Sequence, residues 1–279
     1  MGADMKHIKN RIKSVGNTLH ITRAMKLVAS SKIARAEAAR KTAASFAEAV
    51  CEVLFRAVTP DVSGSPYVTP VNPDAPAYYV VIEADRGLAG GFNGNINRLV
   101  EASVPEGSYV SAVGKRACDM ISRKEGLFRA DVTCPNSEKP DRETISGIAE
   151  KIAGMMKSGE ISGAFVVYTR LDNIITQTPV SAKLLPLEPP EKKGGVTEFE
   201  PGVTQVLERA VPMYLTGRLN SAISESFAAE QYARRNAMDS ASDNASEMID
   251  QLELTYNRAR QNAITQEITE IVAGANAGE

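Results

Sequence analysis

The 279-residue sequence contains no tryptophan, two histidines and three cysteines, and its aromatic content is 5%. Cys51, Cys118 and Cys134 lie far apart and form no Cys-x-x-Cys pair, so neither a disulfide framework nor a zinc site is predicted. No apolar run of about 18 residues could span a membrane, and residues 1–22 carry charges throughout, unlike a secretory signal. We therefore expect a cytoplasmic chain without direct membrane insertion.

Proline and glycine, the residues that interrupt helices, are missing from 17–59 and from 218–273. Each end of the chain therefore predicts one long helix, over about Lys6–Thr59 and about Val206–Ala273. At about 1.5 Å per residue these helices would be roughly 80 and 100 Å long, too long for a domain of this size to enclose.

Apolar residues recur at steps of three and four along both helices, which predicts an antiparallel coiled coil. Charge favours the pairing, because residues 1–41 hold ten basic residues against two acidic ones, and residues 205–279 hold six against eleven. The predicted seam positions are Ile8, Ile12, Val15 and Leu19, then Ala39, Ala43, Phe46, Val50, Val53 and Ala57, and on the second helix Ala245, Ile249, Leu252, Tyr256, Ala259 and Ala263.

The residues between these helices have a different pattern, in which short apolar runs alternate with helical stretches. This order predicts a parallel sheet and a Rossmann-like α/β domain, so the chain divides into a helix at 1–59, an α/β domain at 60–204 and a helix at 205–279. The predicted strands are 77–83, 109–113, 163–169 and 174–187. One predicted helix follows the first strand and ends near residue 102, and two others span 114–124 and 141–157. A loop is predicted at 186–195.

One glycine-rich turn, Asp85-Arg-Gly-Leu-Ala-Gly-Gly-Phe-Asn93, follows the first predicted strand. It is neither GxGxxG nor a Walker A sequence, and no Lys-Ser/Thr follows to hold phosphate and magnesium. We therefore interpret Gly87, Gly90 and Gly91 as structural glycines of a tight turn. His7 and His20 both lie in the basic N-terminal helix, so the α/β domain offers no histidine base for a nucleophile. The sequence thus predicts no catalytic residue, cofactor or metal.

The basic N-terminal stretch, which includes Arg23, Lys26 and Lys32, could in principle contact nucleic acid. It contains no aromatic residues for stacking, however, and the whole chain has a net charge of −2. A solvated helix face or an acidic protein partner is the better interpretation, and no nucleic acid is predicted. Two alternatives remain open from these patterns alone, a phosphate-binding α/β enzyme with helical extensions and a homo-oligomeric coiled-coil scaffold.

Three stretches together resemble the gamma subunits of F-type ATP synthases. They are Ile8-Lys-Asn-Arg-Ile-Lys-Ser-Val-Gly-Asn-Thr18 with Ile21-Thr-Arg-Ala-Met-Lys-Leu-Val-Ala-Ser-Ser-Lys32, the turn at 85–93, and Tyr256-Asn-Arg-Ala-Arg-Gln-Asn-Ala-Ile-Thr-Gln-Glu-Ile-Thr-Glu-Ile-Val272. The resemblance implies a non-catalytic rotor, one copy per complex, inside a ring of three alpha and three beta subunits. Its α/β domain would rest with the epsilon subunit on the c-subunit ring, peripheral to the cytoplasmic face of a bacterial membrane.

The resemblance also implies roles for individual residues. Contacts with the stator would be made by Arg23, Met25, Lys26, Arg234, Arg260, Gln261, Thr265 and Glu267, and an apolar bearing would hold Ile264, Ile268 and Ile271. One departure is Ala89, which stands where the family often has cysteine. Thiol regulation is therefore not expected at this turn.

The first prediction concerns nucleotides. Because the glycine-rich turn lacks the residues that hold phosphate and magnesium, the isolated chain should neither hydrolyse ATP nor bind it measurably. Calorimetry with Mg-ATP and the purified chain tests this directly, and micromolar affinity would contradict the interpretation of the turn.

Overall fold

A computed structural model describes residues 2–58, 64–124, 126, 128–134, 136–188 and 202–276. The predicted domain boundary at 59/60 and most of the predicted loop at 186–195 lie outside the described residues. In chain order the elements are α1 (Gly2–Ala57), β1 (Tyr78–Ile82), α2 (Phe92–Ser103), β2 (Tyr109–Val113), α3 (Lys115–Arg123), β3 (Arg129–Cys134), α4 (Arg142–Ser158), β4 (Ala164–Leu171), β5 (Gln177–Leu185) and α5 (Val203–Asn276). Among the described residues, no helix has the length and apolar character needed to cross a bilayer.

The chain divides into two compact units. The first contains Met1–Ala29 and Arg235–Glu279, and the second contains Ser30–Arg234. The helices α1 and α5 contribute residues to both units. The second unit also holds the whole sheet and the three shorter helices.

In the first unit, α1 and α5 pair antiparallel. The hydroxyls of Thr22 and Ser242 are 2.7 Å apart and buried, and Lys26 donates to Asp239 at 2.5 Å. Residues later in α1 therefore pair with residues earlier in α5. The seams predicted at Ile8–Leu19 and Ala245–Ala263 are the less exposed positions of their helices, which confirms their register.

The second unit is a five-stranded sheet in the order β3-β2-β1-β4-β5. Four strands are parallel, and β5 pairs antiparallel with β4. One face is covered by α2 and α3, which pack with β1 and β2 around Val81, Ile96 and Val110. The other face is covered by α4 and by parts of α1 and α5, in a larger core that includes Leu54 and Leu215. Helices on both faces of a mostly parallel sheet confirm the Rossmann-like prediction.

Three features of the second unit differ from the predictions. The strand β3 was not predicted, because its sequence RADVTC lacks a continuous apolar run. The strand β5 is antiparallel, whereas a parallel sheet was expected. On α1 the buried positions include Ala36, Ala47 and Leu54, while the predicted seam residues Phe46 and Val53 are half exposed or more. Alanine supplies several equivalent apolar spacings in this stretch, so periodicity alone could not fix the register.

The glycines of the predicted turn differ in geometry. Gly90 has φ +59°, in the left-handed region that favours glycine. At Gly87 and Gly91, an added Cβ would meet only the ends of long or flexible side chains, at 3.4 and 3.3 Å. The most constrained glycine is one that the sequence did not reveal, Gly114 between β2 and α3. It has φ +95°, and its Cβ would lie 2.0 Å from the carbonyl oxygen of Glu83.

This geometry predicts that Gly114→Ala destabilises the chain by at least about 2 kcal/mol, because the methyl group would collide with backbone and force an unfavourable φ. The matched control is Gly147→Ala inside α4, where an added Cβ meets nothing within 4 Å. This control should stabilise the chain by about 0.5–1 kcal/mol through helix propensity. Urea unfolding of both variants provides the measurement, and equal stabilities would contradict the predicted collision.

Candidate functional site

The glycine-rich turn connects β1 to α2 at the carboxyl end of the parallel strands, where α/β folds commonly place their sites. Its backbone turns through two positive φ values, +62° at Leu88 and +59° at Gly90. The amide oxygen of Asn93 accepts from the backbone N–H of Ala84 at 3.1 Å and so closes the turn. Leu88 remains 65% exposed at its outer side.

Asp85, the first residue of the turn, binds backbone rather than another side chain. Its carboxylate accepts from the N–H of Ser137 at 2.9 Å, of Lys115 at 3.2 Å and of Glu138 at 3.4 Å. Two neighbouring loops are thereby attached to the turn. The side chain of Glu138 in turn accepts from Lys32 of α1 at 2.7 Å.

Arg234 attaches the same turn to α5. Its guanidinium donates to the carbonyl oxygens of Gly87 at 3.2 Å and Arg86 at 3.3 Å, and to Glu230 at 2.5 Å. The Arg234 side chain is only 12% exposed. We call Lys32, Asp85, Glu138, Glu230 and Arg234 the turn cluster. It forms a continuous polar connection from α1 through the glycine-rich turn to α5.

Burial governs the electrostatics of the turn cluster. Glu230 is 5% exposed, and desolvation raises the pKa of its carboxyl, while the adjacent Arg234 charge lowers it. Asp85 raises this pKa further and Lys32 lowers it, so charges from three elements act on one carboxyl. Removal of Arg234 would leave Glu230 buried without its charge partner, which is costly in a low-dielectric environment.

Three other predicted contact residues lie on α1, in the first unit. Arg23 is exposed on α1, and Met25 and Lys26 are partly buried beside it. Lys26 pairs with Asp239 of α5, so its ammonium already has a partner inside the chain.

The remaining predicted residues lie near the C-terminal end of α5. Ala263 is the last buried residue there, at 6% exposure, and every residue from 264 to 273 is exposed. Ile264, Ile268 and Ile271 are 48%, 56% and 70% exposed, and Val272 is 53% exposed. The polar residues Arg260, Gln261, Thr265 and Glu267 are also exposed. We call residues 260–273 the α5 tip.

Sequence reasoning missed the turn cluster apart from Arg234, and it missed Glu83. Glu83 ends an apolar run of strand type, and that position was the available signal. The residue is 1% exposed, and neither carboxylate oxygen accepts a hydrogen bond among the described residues. Desolvation raises the pKa of Glu83 to about 7, opposed by Arg116 and reinforced by Asp119.

The fold defines a class of protein in which two long helices pair antiparallel and a doubly wound α/β domain lies between them in sequence. A family model described as ATP synthase matches residues 4–277. The ATP synthase gamma chain of Ruminococcus albus is 40% identical over 278 residues, covering 96% of each chain. That of Desulforamulus reducens is 40% identical over 286 residues, covering 99% of this chain and all of the relative. The chain belongs to the family of ATP synthase gamma chains.

Solved structures agree with this fold. The chain is similar to one in the mitochondrial ATP synthase rotor of Euglena gracilis, with a TM-score of 0.66 over 95% of this chain and all of the other. A second structure from that organism, which holds OSCP, F1 and the c-ring, gives a TM-score of 0.68 over 99% of this chain and 95% of the other. Sequence identity is 17% in both cases, so this likeness concerns the fold.

Glu83 generates a prediction about pH. An acid whose pKa rises on folding binds more protons in the folded state, so stability falls as pH rises from about 4.5 to about 7. Glu83→Gln removes this titration, and its stability relative to the unmodified chain should increase across that window by up to about 3 kcal/mol.

Urea unfolding at several pH values measures this difference. The control is Glu150→Gln, because Glu150 is exposed on α4 and faces no comparable burial. The gain in stability with pH should be clearly larger for Glu83→Gln than for this control. A difference that stays constant with pH for Glu83→Gln would mean that the Glu83 carboxyl is not desolvated in the folded chain.

Proposed function

We propose that this chain is the central rotor shaft of an F-type ATP synthase. It couples ion-driven rotation of a membrane c-ring to ATP synthesis, and to hydrolysis, at the catalytic beta subunits. The shaft itself is non-catalytic. Membership of the gamma chain family supports this role, and so does the antiparallel pairing of two long helices.

The observation that carries the proposal is the exposure of the α5 tip. Three isoleucines follow one another at steps of four and three, so they form a single stripe on the helix. In the part of the chain that the structure describes, that stripe is exposed along its length, like every other residue from 264 to 273. A solvent-exposed stripe of this kind indicates a surface that other chains bury.

The chemistry of the stripe suits a bearing. Apolar contact is non-directional, so Ile264, Ile268 and Ile271 can be held while the helix rotates. Directional hydrogen bonds would instead favour one rotational position of the helix. The polar residues Arg260, Gln261, Thr265 and Glu267 suit the second task, contacts with the stator that depend on angle.

Torque requires differential contacts. A shaft that interacts equally with every conformation of a beta subunit shifts no equilibrium between those conformations. In this proposal Arg23, Met25 and Lys26 present a basic and apolar surface to an acidic segment of one beta subunit at a time. One copy of the shaft per alpha3beta3 hexamer supplies the necessary asymmetry.

In this proposal the second unit contacts the remaining partners, the c-ring and the epsilon subunit. Its α/β domain rests on the c-ring together with the epsilon subunit, at the cytoplasmic face of a bacterial membrane and peripheral to it. The turn cluster supports this role, because it attaches the glycine-rich turn to α5 by a partly buried contact of Arg234 with Gly87, and attaches a neighbouring loop to α1 by the exposed ion pair of Lys32 with Glu138. Arg234 contributes to coupling by holding this attachment and by any contact of its exposed fraction with the stator.

The α5 tip provides the test. Changing Ile264, Ile268 and Ile271 together to Asp should weaken co-purification with the alpha3beta3 hexamer, because burying carboxylates in an apolar sleeve is costly. The α/β domain should stay folded, since every residue from 264 to 273 is exposed. Co-purification, ATPase rate and far-UV circular dichroism are the measurements.

Arg260→Ala and Glu267→Ala serve as matched variants on the same exposed segment. They should leave assembly largely intact and lower ATP-driven turnover. If the triple Asp variant assembles and turns over like the unmodified chain, the bearing is wrong. Self-association without alpha and beta subunits would instead favour the homo-oligomeric scaffold, and saturable ATP binding by the isolated chain would favour the enzyme.

A further inference from the structure

A cavity of about 370 Å³ opens between α2 and α3, at the carboxyl end of β1. It lies on the face of the sheet opposite the large core. No residue of the α5 tip or of the turn cluster lines it, although Gly87 of the glycine-rich turn does. Its wall includes Glu83, Asn97, Arg116, Asp119, Arg123 and Lys124. Its volume lies in the range of small-molecule sites.

The cavity contains buried acceptors without donors. Both carboxylate oxygens of Glu83 and the amide oxygen of Asn97 are buried, and none accepts a hydrogen bond among the described residues. Buried polar atoms are nearly always hydrogen-bonded, so three unmatched acceptors lining one cavity are unusual. They indicate a ligand that brings several N–H donors.

Two of the other lining groups already have partners. Asn93 accepts from Ala84 at 3.1 Å, and Lys124 donates to Glu101 at 2.7 Å, which joins α3 to α2. Within the part of the chain that the structure describes, no side-chain hydrogen bond or ion pair occupies Arg116 or Arg123. These two residues are seven positions apart on α3, so they lie on the same side of that helix. The cavity thus combines unmatched acceptors with unpaired guanidinium groups.

We propose that this cavity binds a short ω-amino acid, with its ammonium group at Glu83 and Asn97 and its carboxylate at Arg116 and Arg123. A primary ammonium has three N–H donors, which match the three unpaired acceptors. Its positive charge compensates the buried carboxylate of Glu83. The carboxylate of the ligand accepts charge-assisted hydrogen bonds from guanidinium groups, which are strong and directional.

Neither half of such a ligand suits the cavity alone. A simple amine meets the acceptors but is repelled by Arg116, whose charge acts on Glu83. A simple carboxylate meets the arginines but leaves the acceptors unmatched and adds a negative charge beside Glu83 and Asp119. The cavity should therefore favour the zwitterion over both fragments.

The test uses the full chain labelled with ¹⁵N and three probes, 3-aminopropanoate, ethylamine and propanoate. Saturable shifts of the Asn97 side-chain amide and the Gly87 backbone amide are expected with 3-aminopropanoate. Ethylamine and propanoate should each bind at least about tenfold more weakly. Glu83→Gln should weaken binding of 3-aminopropanoate by about tenfold or more, and Arg123→Gln should weaken it without affecting ethylamine.

The Glu150→Gln variant is the control and should bind like the unmodified chain. Glu83→Gln is expected to stabilise the fold at neutral pH, so loss of binding in that variant would not result from unfolding. If no probe gives saturable shifts up to about 50 mM, ordered water satisfies the acceptors and the proposal fails. It also fails if Glu83→Gln leaves the affinity unchanged, or if propanoate binds as tightly as the amino acid. Neither result would bear on the rotor role, which is tested at the α5 tip.

Discussion

The architecture of the second unit depends on apolar burial shared between the sheet and both ends of the chain. Leu54 and Ala57 of α1 lie in the same core as Leu215 and Leu219 of α5, together with residues of α4 and of strands β1, β4 and β5. Segments some 160 residues apart thus bury one continuous surface. Apolar burial contributes roughly 25 cal/mol per Å², so a surface of this extent holds the helices firmly without directional contacts. Polar contacts such as those of the turn cluster then fix the position of individual loops, including the glycine-rich turn.

The long helices and most strands could be predicted because each follows from a local signal. The absence of proline and glycine indicated α1 and α5, and the seam from Ile8 to Leu19 was correct because few other apolar residues compete there. The prediction failed where local signals are degenerate or depend on tertiary structure. Alanines around Phe46 allowed more than one register, and β3 gains its strand character by pairing with β2. Gly114 became critical only because the backbone of Glu83 passes beside it.

The candidate sites show the same division. Gly90 could be identified because a glycine-rich turn after a strand has a known backbone requirement, and Arg234 was found by resemblance. Its actual partners, the carbonyls of Arg86 and Gly87, could not be predicted, because they lie about 147 positions away in sequence. Glu83 is the clearest omission. A carboxylate at the end of an apolar strand indicates either solvent exposure or an unusual environment, and only the positions of α2 and α3 decide between them.

A rotating shaft must be attached rigidly at one place and must be free to turn at another. Different kinds of contact suit these two requirements. Polar contacts such as that of Arg234 with the carbonyl oxygen of Gly87 fix geometry, because each has a preferred distance and angle. They occur where the proposed function needs rigid attachment, between the turn and the long helices. The α5 tip instead exposes isoleucines, and in the proposed bearing their apolar contacts would have no preferred angle. If the tip were held by an arrangement like the turn cluster, each hydrogen bond would have to break and re-form as the shaft rotated. Each breakage would oppose rotation, so in the proposed bearing an apolar stripe would allow the tip to be held while it rotates.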